Sequence, residues 1–343
     1  MPALPQCTSI APVPLSRIIG HGPLITLLKH SVARGSVPQT LLFAGPEGVG
    51  KHTVAVALAQ AVNCPTRRKN GGDDACGVCP TCQRIARGQH SDVALIGRGE
   101  DATIKLKTLR ERVLEVVGYR PFEAERRVFI IEADDLRDDG QDALLKTLEE
   151  PPSSAILILV AAYPDALKAT VQSRCRRLRF GLLSERDVAR VLVEHAGVDK
   201  AAASALASAS GGSVSRALSE KSGDLNDDRD AALAILAALR KSVGDQLKAS
   251  ATFAKNDSDR RDREALSARI DALSSLLRDV GAILSGSNDT LANADLERDL
   301  RALAPHLTAE RVIAGYAALG RAQQALERNA GPKIVADWVA LHL

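Results

Sequence analysis

Thr40-Leu41-Leu42-Phe43-Ala44-Gly45-Pro46-Glu47-Gly48-Val49-Gly50-Lys51-His52-Thr53 runs from an apolar pentapeptide into a glycine-rich loop and on toward a helix. The five leading residues read as a buried strand. In the pattern G-x-x-x-x-G-K-[ST], the glycines let successive backbone N–H groups curl round phosphate oxygens. The lysine then reaches the β and γ phosphates, and the hydroxyl binds Mg²⁺. Gly45, Gly48, Gly50 and Lys51 are in place, but His52 occupies the hydroxyl position. Thr53 supplies a hydroxyl one residue later, which turns it roughly 100° round a helix. Imidazole is a poor substitute, because Mg²⁺ prefers hard oxygen ligands in a tight octahedron. Beyond the loop, Val54, Ala57, Leu58 and Ala61 share one helical face, so strand, loop and helix stand in the order a P-loop requires. The segment therefore points to holding ATP or ADP more than to hydrolysing it, with poor provision for Mg²⁺.

Outward from the loop, Leu24, Leu27, Leu28 and Val32 predict a preceding helix stopped by Gly35. Downstream, strands are expected near Asp92–Ile96, Val128–Ile131, Ile156–Ala161 and Arg177–Phe180. Helices alternate with them at Leu106–Val117, Ala143–Glu150 (stopped by Pro151-Pro152) and Leu167–Gln172. Strands rich in Ile, Leu and Val alternating with helices predict an α/β domain, residues 17–180, whose parallel sheet is covered on both faces. Residues 1–16, with four prolines, read as a loose arm. Past Phe180 the strand signals stop. Ser184 with Asp187 begins a capped helix, Asp199 a second and Gly211-Gly212-Ser213 a third, giving a small helical domain at 181–222. Residues 223–230 read as a polar linker and 231–343 as an alanine- and leucine-rich helical bundle. Within that bundle Lys255–Arg263 is a charged loop or helix end.

A P-loop ATPase also needs an acidic pair at the end of a neighbouring strand. The segment after Val128–Ile131 is Glu132-Ala133-Asp134-Asp135. Glu132 is suited to hold a metal indirectly, Ala133 cannot polarise water, and Asp134 and Asp135 read as a solvated turn. Cys64, Cys76, Cys79 and Cys82 follow a C-x11-C-x2-C-x2-C spacing, with Gly77 and Pro80 aiding the turns. Four thiolates so spaced suit a closed tetrahedral Zn²⁺, a structural staple over about residues 64–90. Cys7 and Cys175 read as ordinary thiols. In Ser173-Arg174-Cys175-Arg176-Arg177, Arg174 stands at a domain edge, from which an arginine can reach a neighbour's γ-phosphate. Arg176, Arg177 and Arg179 read as a solvated basic edge.

Composition removes several classes. Lys+Arg at 45 against Asp+Glu at 42 is nearly balanced, and 3% aromatics argue against a single-strand binder built on stacked bases. No apolar run is long enough to span a bilayer and no secretory leader is visible, so the expectation is a cytoplasmic protein with reduced thiols and no membrane partner.

The P-loop, the four-cysteine insertion, His90-Ser91-Asp92, Ala143-Leu144-Leu145-Lys146-Thr147-Leu148-Glu149-Glu150-Pro151-Pro152 and Ser173-Arg174-Cys175 occur in that order. Together they resemble the clamp-loader subunits of bacterial DNA polymerase III, within the AAA+ family. The resemblance covers about residues 17–220, and the helical remainder fits by length and class only. It implies a RecA-like P-loop core, a helical lid and an all-α collar that closes a hetero-pentameric ring. It also implies gamma/tau and delta subunits as partners, and a sliding clamp and primer-template DNA reached through the complex. Arg174 matches the family's trans-acting arginine finger, and Arg216 in Gly212-Ser213-Val214-Ser215-Arg216 matches the lid's sensor-2 arginine, a cis nucleotide contact. His52, Glu132-Ala133 and the sensor-1 segment Val160-Ala161-Ala162-Tyr163-Pro164, with no hydroxyl in its first three places, resemble the stator type of subunit more than the hydrolysing type. Two alternatives stay open. One is an active ATPase using Thr53 and Asp134 in shifted roles, and the other is a zinc-dependent DNA-binding module with a vestigial nucleotide site.

Overall fold

The computed structural model describes residues 12–343 apart from 100, 102, 222–223, 240–241, 255–259, 287–290, 292, 294–295 and 328–329. Cys7, residues 1–11 of the expected arm and 255–259 of the charged segment lie outside the described residues. The chain divides into two compact units, one ending at Ser215 and the other beginning at Arg216.

The first unit is built on five parallel strands: β1 (Thr40–Ala44), β2 (Val93–Ile96), β3 (Arg127–Glu132), β4 (Ala155–Ala161) and β5 (Arg176–Arg179), ordered β2-β3-β4-β1-β5. All seven residues of β4 are buried, because it has a neighbour on each side and helices on both faces. Successive side chains of a strand point to opposite faces, and the core divides accordingly. Leu41, Phe43, Val128, Ile130, Ile156 and Ile158 pack on the side of helices α1 (Gly22–Ala33) and α2 (Lys51–Asn63). Leu42, Phe129, Ile131, Leu157 and Leu159 pack on the other with residues of α5 (Leu106–Leu109), α6 (Asp138–Glu149) and α7 (Ala169–Gln172). Between α2 and β2 lie α3 (Pro65–Asn70) and α4 (Pro80–Ala86). As expected, β5 is an edge strand with Arg176, Arg177 and Arg179 exposed and Leu178 buried.

Three details differ from the expectations. The expected arm is tied down at its end: Leu15 is buried, and the Leu15 and Ser16 N–H groups donate to the Asp74 carboxylate. The helix expected over 106–117 narrows to α5 and then widens into an i→i+5 turn at Arg110–Leu114, where Glu115 N–H donates to Arg110 O. The strand side of this segment still buries Leu109, Val113 and Val117.

The small helical part comprises α8 (Glu185–Ala196), α9 (Lys200–Ala209) and the start of α10 (Val214–Lys221). Ser184 Oγ accepts the Asp187 N–H at 3.1 Å, the expected cap. The second unit is all-helical, with α11 (Asp224–Ala238), α12 (Val243–Phe253), α13 (Arg260–Ser285), α14 (Glu297–Leu303), α15 (Ala309–Glu327) and α16 (Pro332–His342). The third difference is here, since residues 224–230, expected as linker, form the first turns of α11. Their polarity has a partner inside the bundle: Asp228 Oδ1 accepts from Arg269 Nε at 2.9 Å, and both side chains are buried. Among the described residues no helix is long and apolar enough to cross a membrane.

Candidate functional site

Parallel strands in the order β3-β4-β1 bring three carboxyl-end loops side by side. These are Gly45–Gly50 after β1, Ala162–Pro164 after β4 and Ala133–Asp135 after β3. Two loop glycines are required by space as well as by their positive φ. A Cβ on Gly45 (φ 156°) would lie 2.1 Å from Phe180 O, and one on Gly48 (φ 75°) 2.2 Å from Ser213 Oγ. Gly50 (φ 96°) turns the loop into α2. The small helical part also touches the crest of the loop, Val214 N–H donating to Gly48 O at 2.9 Å and Ser213 Oγ to Glu47 O at 3.1 Å.

Lys51 is buried and curls back onto its own loop, donating to Gly45 O and Pro46 O at 2.6 Å each. Burial lowers its pKa from the ordinary value, against the pull of Asp134, Glu47 and Glu132. On α2, His52 Nε2 lies 3.8 Å from Glu132 Oε1, and half-buried Thr53 occupies the next position round the helix. Burial pushes His52 below the ordinary histidine pKa. Burial, reinforced by Asp135 and Asp134, pushes Glu132 up to about 7. Near neutral pH the imidazole is therefore uncharged and the carboxyl is about half protonated. The place where a P-loop protein collects Mg²⁺ offers neither a hydroxyl nor a full negative charge.

The next two acids form the turn that the sequence suggested, with Asp134 exposed, but their carboxylates also have partners. Asp134 accepts the Ala162 N–H at 2.5 Å and the Tyr163 N–H at 3.1 Å, while Asp135 pairs with Arg98 at 3.0 Å. Asp134 thus holds the segment after β4, and Ala133 beside it is buried. Sequence reasoning also missed His21, whose Nε2 lies 2.9 Å from Val49 O and whose ring packs edge-on against Phe180. Its position before the glycine-stopped helix carried no signal of that.

Arg174 lies between α7 and β5, with a third of its side chain exposed. Its Nε donates to Glu149 Oε1 at 2.8 Å, Nη2 lies 2.5 Å from the same oxygen, and Nη1 donates to Thr170 O at 2.8 Å. Arg216 belongs to the second unit, where its Nη2 donates to Asp271 Oδ2 at 2.6 Å. Cys175 stays an unreactive thiol, pushed up to about 12 by burial.

The four cysteines converge. Cys64 caps the end of α2, Cys79 and Cys82 frame the start of α4, and the four Sγ atoms lie within 4.8 Å of one another. Zinc bonded to four thiolates at about 2.3 Å sets the sulfurs about 3.8 Å apart, so a modest contraction completes the site. The sulfurs already accept backbone N–H groups: Arg67 and Cys76 donate to Cys64, Cys79 to Cys76, and Cys82 to Cys79. Burial opposes ionisation of Cys76, yet the N–H groups of Val78 and Cys79 bring it down to about 6. The donor set, its closure and its N–H support all fit a tetrahedral metal ion. Next to it, Asp92 accepts the N–H groups of Phe122, Glu123 and Ala124, and Arg84 of α4 forks onto Glu123 at 2.8 and 2.7 Å.

A five-stranded parallel sheet of this order, with its P-loop, helical cap and following helical bundle, defines a P-loop protein of the AAA+ class. The chain matches the family described as DNA polymerase III, delta subunit, over residues 20–184, and that described as DNA polymerase III, delta subunit, C terminal, over residues 224–334. It is 33% identical over 217 residues to DNA polymerase III subunit tau of Escherichia coli (strain K12), covering 61% of this chain and 32% of that one. It is 31% identical over 209 residues to subunit tau of Bacillus subtilis (strain 168), covering 59% and 36%. With subunit delta' of the same strain it shares 30% identity over 172 residues, 50% of each chain. The chain spans about a third to a half of the length of these relatives. It belongs to the family of DNA polymerase III clamp-loader subunits.

Proposed function

We propose that this chain is the delta-prime, or stator, subunit of a cytoplasmic DNA polymerase III clamp loader. The observation that carries the reading is His52, 3.8 Å from Glu132, standing in the position where a working site has a hydroxyl for Mg²⁺. Ala133 in place of a water-orienting acid, and Asp134 committed to two backbone amides, support it. The P-loop holds ATP or ADP weakly or stays empty, and the subunit does not turn nucleotide over. Zinc held by Cys64, Cys76, Cys79 and Cys82 ties the end of α2 to α4 and leaves no open position for chemistry. Within a ring with gamma/tau and delta subunits, Arg174 reaches the neighbouring gamma/tau ATP and neutralises charge developing on its γ-phosphate as the sliding clamp is loaded onto primed DNA. Arg216 is the lid's sensor-2 arginine.

The test pairs a nucleotide titration of the pure chain, with and without Mg²⁺, with a turnover assay. Affinity indifferent to Mg²⁺ and no turnover are expected. Turnover that Lys51→Ala abolishes would establish a gamma-like ATPase instead. In the reconstituted complex Arg174→Ala should leave assembly intact and depress DNA-stimulated ATPase. Removal of a trans finger costs on the order of 10³–10⁵ at a GTPase site.

A further inference from the structure

Arg174 has five N–H bonds to give and its own chain uses a defined subset of them. Nε and Nη2 meet a single oxygen of Glu149, and Nη1 meets the Thr170 carbonyl with a longer 3.4 Å approach to Ser173 Oγ. The residue's own carbonyl accepts Thr40 Oγ1–H at 2.8 Å, so the backbone beneath the side chain is pinned to β1. Glu149 is the last residue of α6, and Thr170 lies in α7, so two helices and a strand fix one guanidinium. The contacts take the Nε/Nη2 edge and Nη1. Among the described residues Nη2 meets Glu149 alone, so its second N–H, on the outer edge, is left for a phosphate oxygen.

We infer that Glu149 is the positioning residue for Arg174, holding the guanidinium with its outer edge presented to a phosphoryl group bound by an adjacent chain. This rests on the trans-finger reading above. A free arginine side chain loses rotamer entropy when it is immobilised. Glu149 meets that cost before the neighbour arrives, so the finger reaches the transition state already ordered. Such an interaction acts on kcat and leaves KM nearly unchanged, because the developing charge is the part of the reaction it serves.

The experiment compares Glu149→Ala, Glu149→Gln, Arg174→Ala and the double variant Glu149→Ala/Arg174→Ala in the reconstituted complex, reading DNA-stimulated ATPase. Glu149 is about half exposed, so its truncation leaves the core intact. Glu149→Ala should lower kcat about tenfold with KM for ATP unchanged, and Glu149→Gln, which keeps an acceptor oxygen, should recover most of that loss. In the Arg174→Ala background Glu149→Ala should add nothing, an outcome a merely structural role would not produce. If Arg174→Ala depresses kcat while Glu149→Ala leaves it at wild type, or if the two losses multiply, the positioning role is overturned and the finger stands. If Arg174→Ala leaves kcat unchanged, the finger reading fails and this inference with it.

Discussion

His52 alters the phosphate site by its chemistry and by its desolvation together. Replacing it by threonine restores a hard oxygen at the first helical turn, beside a carboxyl that Mg²⁺ itself would help to ionise. His52→Thr should therefore make nucleotide affinity depend on Mg²⁺, by about tenfold in a calorimetric titration, while turnover stays absent because Ala133 orients no water. Mg²⁺-indifferent affinity in that variant would mean that something other than residue 52 limits the site. Glu132 gives a second test through pH. Its folded pKa of about 7 exceeds its ordinary 4.5, so between those values the folded state holds the proton more tightly and stability falls as pH rises. His52 works the other way, since its lowered pKa removes stability as pH falls through the ordinary histidine range. Glu132→Gln should match wild type near pH 4 and exceed it above pH 7, by about 1–2 kcal/mol once solvent screening of a side chain 36% exposed is allowed for. Equal chemical-denaturation stabilities at pH 8 would contradict this. At this scale the sequence was most legible where function is local. Loop glycines, Lys51 and the cysteine spacing act within a few residues of chain. Asp134 on the Ala162 and Tyr163 amides, and Glu149 on Arg174, join positions 25 or more residues apart and leave no trace in a linear pattern.

The unit that links the two candidate sites is α2, which begins at Lys51 of the phosphate loop and ends against Cys64 of the metal cluster. Gln60 on the same helix donates to Cys82 O at 2.8 Å, so α2 and α4 are joined by a side chain as well as by the sulfurs. Cys82→Ser should reduce bound zinc from one equivalent to a small fraction and destabilise the protein by more than about 2 kcal/mol, read by metal analysis and thermal melting. A chelator should lower the melting temperature of wild type and leave the serine variant nearly unmoved. Full stability with no metal bound would reduce the cluster to a packed thiol core. The central strands β1, β3 and β4 followed from the sequence because each has a neighbour on both sides and reads as a nearly continuous apolar run. The start of α11 did not, for a physical reason. Asp and Asn residues suit both a linker and the first turn of a helix, and the residue that decides between them, Asp228, is polar because it is buried against Arg269, 41 positions away.

Across the whole chain, both units leave large apolar side chains exposed, among them Val78 and Phe122 in the first. In the second unit α15 and α16 bury Val312, Leu319, Val335 and Val339 in the bundle, yet they also carry Ile313 and Ile334, 71% and 72% exposed. Tyr316 and Leu341 on the same helices are about half exposed. A bundle helix needs one apolar stripe for its own core, and apolar residues beyond it would mark a surface that meets another protein where they form one contiguous patch. The length and class of this bundle suggested a collar from sequence, while the apolar residues left outside the core are visible only once the first stripe is assigned. The proposed function has the same limit: a residue proposed to act in trans, as Arg174 is, would have its substrate outside the molecule. If the bundle is the assembly element, Ile313→Asp with Ile334→Asp should leave the isolated chain's melting within about 0.5 kcal/mol per site, since both are exposed. The same pair should weaken association with gamma/tau and delta subunits at least tenfold, because desolvated apolar anchors at an interface cost more than about 1 kcal/mol when lost. Sedimentation of the reconstituted mixture reads the outcome. Assembly undisturbed by both charges would move the interface off α15 and α16, and a melting loss of several kcal/mol would show that these isoleucines serve the bundle itself.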